Sequence, residues 1–199
     1  ITKSEEMAQR LPRCSRARNN VIPNGVDLSR FEPMARERAR GHLGWTGTRK
    51  NILFVGNPDV PRKNIALARG VRDELLRRGV PIELRIAWEL EPEAIVTWMA
   101  ASDALLFPSL FEGSPNTVKE ALAMELPIVS APVGDVPERL RGVAGTFVAA
   151  RGVGAMADAM EAALQFDRLP AARAAVSELS IERVAERLLG LYGSLAEAA

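Results

Sequence analysis

From residue 50 to residue 150 short apolar runs alternate with longer amphipathic stretches, and this alternation confines what the chain can fold into. Residues 51–55 are almost continuously apolar between Lys50 and Gly56, the pattern of a strand buried on both faces in a parallel sheet. Residues 82–87, 104–107, 126–130 and 146–149 read as further short strands. Helical segments lie between them. One starts at Lys63 or Asn64 and runs to about Arg78, with Ile65, Leu67, Ala68, Val71 and Leu75 on one side and Gly79 as its stop. A second, opened by Pro92, runs from Glu93 to about Ala101. A third follows the loop after residue 107, and a fourth begins over residues 138–141. Strands alternating with helices make βαβ units, so the expected class is α/β: a mainly parallel sheet of about six strands with helices on both faces.

The flanks are less regular. Residues 1–18 mix charges without a clean period and read as a solvated helix or a linker. Pro23, Asn24 and Gly25 form a tight turn. Residues 35–43 predict a helix stopped by Gly44; it carries the only histidine, His42, expected at the surface. From Gly154 onward the pattern is helical, with breaks near Pro170 and Ser180, and Val184, Leu188, Leu191 and Leu195 recur at helical spacing. The division expected is a linker or remnant of a preceding domain over residues 1–20 and one domain over residues 21–199.

A net charge of +1 gives no basic face for nucleic acid. No apolar run is long enough to span a bilayer, and no signal-type apolar core opens the chain. One cysteine, Cys14, fits a reducing cytoplasmic setting, and one Cys with one His argues against a zinc site. The absence of an initiator Met hints at sequence upstream of Ile1.

Chemistry concentrates after two strands. The strand over residues 104–107 breaks at Pro108 and passes through Glu112, Gly113, Ser114, Pro115, Asn116 and Thr117 into a helix containing Glu120. A strand–loop–helix junction turns free backbone N–H groups toward the space above the sheet and so suits a phosphate. Two carboxylates, Glu112 and Glu120, can accept hydrogen bonds from sugar or ribose hydroxyls; Glu120 is expected about two turns below the loop entrance. The alternative is a plain cap made by Ser114 and Asn116, with Glu120 at the surface. After the strand at 51–55, the loop from Gly56 and Asn57 leads to Arg62 and Lys63 at the start of a helix. The dipole disfavours cations there, unless an anion lies between them and the helix; the alternative is that both face solvent. Gly152, Gly154 and Ala157 match a dinucleotide fingerprint, but residues 165–170 are not the strand it requires, so an ordinary helix start is expected. Ser109, Ser114 and Ser130 have no nearby histidine in sequence, and a Ser-His-Asp hydrolase is poorly supported.

These motifs resemble, in order, those of glycosyltransferase family 4, whose members are retaining enzymes with the two-domain, Rossmann-like GT-B fold. Glu112 and Glu120 sit in an E-x7-E pattern like the donor-site motif of that family. The segment from Val21 to Asp27, with Phe31 and Pro33, looks like the lead-in to its C-terminal domain, and Gly56 with Lys63 looks like its diphosphate loop. The likeness runs from about Val21 to the C-terminus. It implies that Lys63 binds the donor diphosphate, that Glu120 holds the ribose, and that Glu112 contacts the sugar and stabilises charge developing at its anomeric carbon. Gly56, Asn57, Arg62, Gly113, Ser114, Pro115, Asn116, Thr117 and Val118 would complete the donor site, with no metal and no cofactor beyond the nucleotide sugar, a UDP or GDP sugar. The resemblance further implies a hexosyltransferase of bacterial polysaccharide biosynthesis, with peripheral membrane contact open to the intact enzyme, and an N-terminal acceptor domain outside this chain. The domain is then expected to bind donor weakly, to transfer little alone, and to dock its last helix on the missing domain unless that helix completes its own core.

Two positions depart from the pattern. Many members carry arginine after the first loop glycine, where this chain has Asn57; Arg62 is a candidate substitute. Residues 85–88 also run almost directly into the Pro92 helix, without the strand and helix usual near the base. The competing readings are a non-catalytic nucleotide-binding or scaffold module of the same fold and, from the Gly152 match, a nicotinamide-dependent reductase.

Overall fold

The computed structural model describes residues 1–197. Five strands, β1 (Lys50–Val55), β2 (Ile82–Ala87), β3 (Ala104–Phe107), β4 (Ile128–Ser130) and β5 (Thr146–Val148), form one sheet in the order β2-β1-β3-β4-β5. Every pairing is parallel. The α/β expectation holds, with five strands against about six. Val21 and Val26, outside the sheet, make only isolated parallel bridges, to Thr2 and Ser180.

Nine α-helices are described: α1 (Glu5–Gln9), α2 (Arg13–Arg16), α3 (Arg36–Leu43), α4 (Ile65–Arg77), α5 (Pro92–Ala101), α6 (Asn116–Ala123), α7 (Val136–Arg139), α8 (Val153–Ala163) and α9 (Ile181–Glu197). Helix α4 packs on α8 and β2, while α3 packs on α5, which lies against β1. The central strands are therefore covered on both sides, and Ile52, Leu53, Phe54, Leu105, Leu106 and Phe107 are fully buried. Ala68, Val71 and Leu75 supply the buried side of α4. Gly70 permits the close approach of α4 to α8, because a Cβ there would meet Val153 Cγ2 at 2.8 Å.

Gly44 ends α3 in the left-handed conformation, and His42 is exposed in its last turn. Helix α7 starts at Val136, two residues before the expected start, with Pro137 in its first turn. Gly152 is the N-cap of α8, and among the described residues no strand follows that helix, which removes the dinucleotide reading. Ala174–Leu179 is a 3-10 segment between the two late helices. Helix α9 is anchored at its first turn: Val184 is its one buried residue, whereas Leu189, Tyr192 and Leu195 are 70%, 57% and 60% exposed. Along its apolar row burial falls from Val184, buried, through Leu188 and Leu191, half-buried, to the exposed Leu195. Among the described residues no helix is long and apolar enough to cross a membrane.

The strand order fixes where a ligand can sit. The chain steps from β1 outward to β2, then crosses back to β3 on the other side of β1. The loops after β1 and β3 therefore leave the sheet in opposite senses and open a crevice between them, the usual ligand position in an open α/β sheet.

Candidate functional site

The loop after β1 begins at Gly56, whose φ of 131° is open to glycine alone. The stem of Lys63 runs along it: a Cβ at Gly56 would lie 3.3 Å from Lys63 Cε. Asn57 accepts from the Asp59 backbone N–H at 2.8 Å and so folds its own turn. Arg62 and Lys63 belong to a 3-10 turn, Pro61–Lys63, and Asn64 is left-handed at φ 57°. The helix proper starts only at Ile65. Both cations thus precede α4 instead of standing in its first turn, and they reach across the crevice.

What they reach is Glu112. Its Oε1 accepts from Arg62 Nη1 at 2.7 Å, Lys63 Nζ at 2.7 Å and Ser109 Oγ at 3.1 Å. The Glu112 and Lys63 side chains are largely buried, and Lys63 Nζ also lies 5.4 Å from the Phe107 ring centroid. Neither cation simply faces solvent: the chain's own carboxylate occupies the place of the anion. The two loops are tied by backbone as well, through Leu110 N–H to the Arg62 carbonyl at 2.8 Å and Asn64 Nδ2 to the Pro108 carbonyl at 3.2 Å. Arg151 braces the far side, donating to the carbonyls of Ser109, Leu110 and Pro132.

The cap alternative fails on geometry. Helix α6 has Pro115 at its N-cap and no side-chain cap. Ser114 Oγ donates to Asp135 Oδ2 at 2.8 Å instead, and Asn116 is exposed. Among the described residues nothing accepts from the amides of Gly113, Ser114, Asn116, Thr117 or Val118. A helix start with several unpaired N–H groups, in the loop whose Glu112 is held by two cations, has the chemistry to accept an anion.

Glu120 is the fifth residue of α6, a little over one turn from its start and not two, because the helix begins late at Asn116. It closes a cavity of about 290 Å³ lined by Arg30, Phe31, Val55, Leu90, Pro92 and Ile95. Burial pushes its carboxyl pKa up, with the charges of Lys119 and Arg30 pulling it back. No hydrogen bond or ion pair from the described side chains satisfies it. A half-buried, unpaired carboxylate in an apolar pocket can accept from ligand hydroxyls. Leu90 comes from the turn 88–91, which joins β2 directly to α5 and holds Glu89 at φ 55°.

The N-terminal residues, read from the sequence as linker, contribute too. Ser4 caps α1, Glu6 accepts from the Gly134 N–H at 3.0 Å, and Met7 Sδ lies against Gly113. Sequence reasoning missed this contact along with Asn64, Arg151, Asp135 and Lys119. One signal was available for Lys119: a cation in the first turn of a helix is as misplaced as the cations at residues 62 and 63.

The family model described as "Glycosyl transferases group 1" matches residues 50–165. The D-inositol 3-phosphate glycosyltransferase of Mycobacterium tuberculosis is 32% identical over 184 residues, covering 79% of this chain. The chain spans only 38% of that relative's length. A glycosyltransferase from Rickettsia africae has the same fold, at TM-score 0.79 and 16% identity, over 99% of this chain and 63% of its own. So has the catalytic domain of starch synthase IV from Arabidopsis thaliana, at TM-score 0.76 and 15% identity, over 97% and 55%. These neighbours share the GT-B glycosyltransferase architecture, and the family match extends over more than half of the chain. The protein belongs to the glycosyl transferases group 1 family.

Proposed function

We propose that this chain is the C-terminal, donor-binding domain of a retaining family 4 glycosyltransferase, taking a nucleoside-diphospho-sugar. The observation that carries the reading is the unsatisfied row of amides at Gly113, Ser114, Asn116, Thr117 and Val118, in the same loop whose Glu112 Arg62 and Lys63 reach from across the crevice. A diphosphate placed there is neutralised by two cations and a helix terminus. The ribose hydroxyls then fall to Glu120, and the base to the apolar cavity beside it. Glu112, oriented by Ser109 and the two cations, stands where the sugar joins the diphosphate.

In transfer, the bond from the anomeric carbon to the diphosphate oxygen breaks and its electron pair goes to that oxygen. Lys63, Arg62 and the loop amides stabilise the charge released, and the Glu112 carboxylate stabilises the cationic character left on the sugar. The acceptor hydroxyl oxygen bonds to the same face of the anomeric carbon, and its proton passes to the departing diphosphate. No step calls on a cofactor. The acceptor site, and the surface against which the apolar row of α9 packs, belong to an N-terminal domain. That assignment is consistent with the 38% of the curated relative that this chain spans.

Calorimetric titration of UDP, GDP and ADP into the wild type and Glu120→Ala tests the reading. One nucleotide should bind, and the substitution should weaken it at least about tenfold, roughly 1.4 kcal/mol. Absence of binding by all three would sink it. Sugar transfer recovered on adding the N-terminal half would separate an enzyme from a scaffold module.

A further inference from the structure

Lys119 is the most completely enclosed charged side chain of the site, with no exposed surface. It stands in the first turn of α6, where the helix dipole opposes a cation. Its ammonium donates to the Asn24 carbonyl at 2.8 Å and to the Ser114 carbonyl at 3.3 Å. Asn24 Nδ2 reaches the same Ser114 carbonyl at 3.4 Å. On the other side of Ser114, its hydroxyl donates to Asp135, and the Asp135 N–H donates to the Gly113 carbonyl at 3.1 Å. Asp135 is 2% exposed, and its Oδ1 has no hydrogen-bond partner. Three segments therefore meet around Ser114, with the buried cation joining two of them: the Pro23–Asn24–Gly25 turn, the loop at residues 113–115, and the loop at residues 134–135.

The consequence for the amides follows from peptide geometry. In a planar trans peptide the C=O and N–H point in opposite directions, and no peptide bond of the chain is cis. The inward Gly113 carbonyl turns the Ser114 N–H outward. The inward Ser114 carbonyl, joined to Pro115 with its fixed φ of −70°, sets the plane from which α6 and its free amides start.

We propose that Lys119 is a positioning residue for the anion site: by gripping the Ser114 carbonyl from beneath, against the Asn24 carbonyl, it keeps the Ser114 and α6 amides turned toward a bound diphosphate. The role rests on the donor-binding reading for its ligand, although the loop geometry it explains does not. Lys119 touches no substrate. Removing its ammonium leaves the buried Asn24 carbonyl without its side-chain donor and the Ser114 carbonyl with only the long contact from Asn24 Nδ2, while Arg139 stays paired with Asp135, so the loop relaxes by turning a carbonyl toward the crevice.

The test uses Lys119→Met and the polar Lys119→Gln, with inorganic pyrophosphate as the probe. In ligand-free protein, amide NMR shifts should move at Ser114 and Asn116–Val118 in Lys119→Met while the sheet residues stay in place. Pyrophosphate affinity should fall about tenfold, with Lys119→Gln recovering part of it. Unmoved amides, or full affinity in a folded Lys119→Met, would overturn the proposal. Unfolding of both variants would also overturn it, in favour of a purely structural lysine. If the wild type binds neither pyrophosphate nor any nucleotide, the donor reading falls, and the amide shifts alone decide whether Lys119 sets the loop.

Discussion

Lys63 Nζ and Glu112 Oε1 lie 2.7 Å apart across the crevice, joining the loop after β1 to the loop after β3. The same oxygen takes the guanidinium of Arg62. One carboxylate thus shields two cations, which on the donor-binding proposal a diphosphate would have to share. Removing its charge, as in Glu112→Gln, should raise affinity for a bare nucleoside diphosphate by about three- to tenfold, because the competing anion is gone while the cations remain. The same substitution should abolish transfer in the intact enzyme, since the sugar loses its stabilising carboxylate. Lys63→Ala should lower nucleotide affinity at least about tenfold. Calorimetry on the three proteins separates these directions.

Glu120 is held in a state unfavourable to its own charge, and its replacement should stabilise the fold while weakening the ligand. Burial raises its folded-state pKa above the unfolded value near 4.5. The folded state therefore holds the proton more tightly. That contribution is fully present below the unfolded pKa and is lost as pH rises through the folded one. Glu120→Gln, which stays neutral, should melt with the wild type at pH 4 and above it at pH 7. Each kcal/mol of such a gap corresponds to roughly 2–4 °C in a chain of this size. Melting curves at both pH values, paired with nucleotide titrations at pH 7, check the trade-off.

The strands and helices that carry this site were legible because each is written in a local period. Residues 51–55 announce a buried strand, Gly44 and Gly79 stop helices, and Pro92 opens one. The residue types of the site were legible for the same reason: cations before a helix and acids around a glycine loop stand out against local rules. Their pairing was not. Lys63 and Glu112 are 49 positions apart, and Asn64 delays the helix start by adopting a left-handed conformation that no periodicity signals. Lys119 stands out as a cation early in a helix, but its neighbours in the sequence, Val118 and Glu120, say nothing of the turn at Asn24 that covers it.

Lys119 should also leave a signature in stability at alkaline pH. Burial pushes its pKa down to about 8, the carboxylates of Asp135 and Glu120 opposing the shift and Arg139 and Lys3 adding to it. Between about 8 and the unfolded value of 10.5 the unfolded chain binds more protons at this position, so stability attributable to Lys119 rises with pH across that window. Comparison of wild type with Lys119→Met should show the wild type gaining from pH 8 to pH 10. A gap between the two that stays flat would mean the ammonium is not desolvated as its enclosure indicates.

Gly134 seats the loop that presses on the donor loop, and alanine there should damage both fold and site. Its φ of 53° is left-handed, which costs an L residue roughly 1 kcal/mol. The greater obstacle is space: a Cβ would stand 2.0 Å from the Gly113 carbonyl oxygen and 2.9 Å from that of Glu112. The loop must retreat, and the Gly113 carbonyl then loses the Asp135 N–H that turns the Ser114 amide outward. Gly134→Ala should lower stability by at least about 2 kcal/mol, roughly 4–8 °C, and weaken nucleotide binding with it. Gly142→Ala is the control, because Gly142 shares the left-handed backbone at φ 76° but has nothing within 4 Å of its added Cβ. It should cost about 1 kcal/mol and leave nucleotide affinity unchanged. Equal effects of the two substitutions on binding would show that contact between the loops at Gly134 and Gly113 does not shape the anion site.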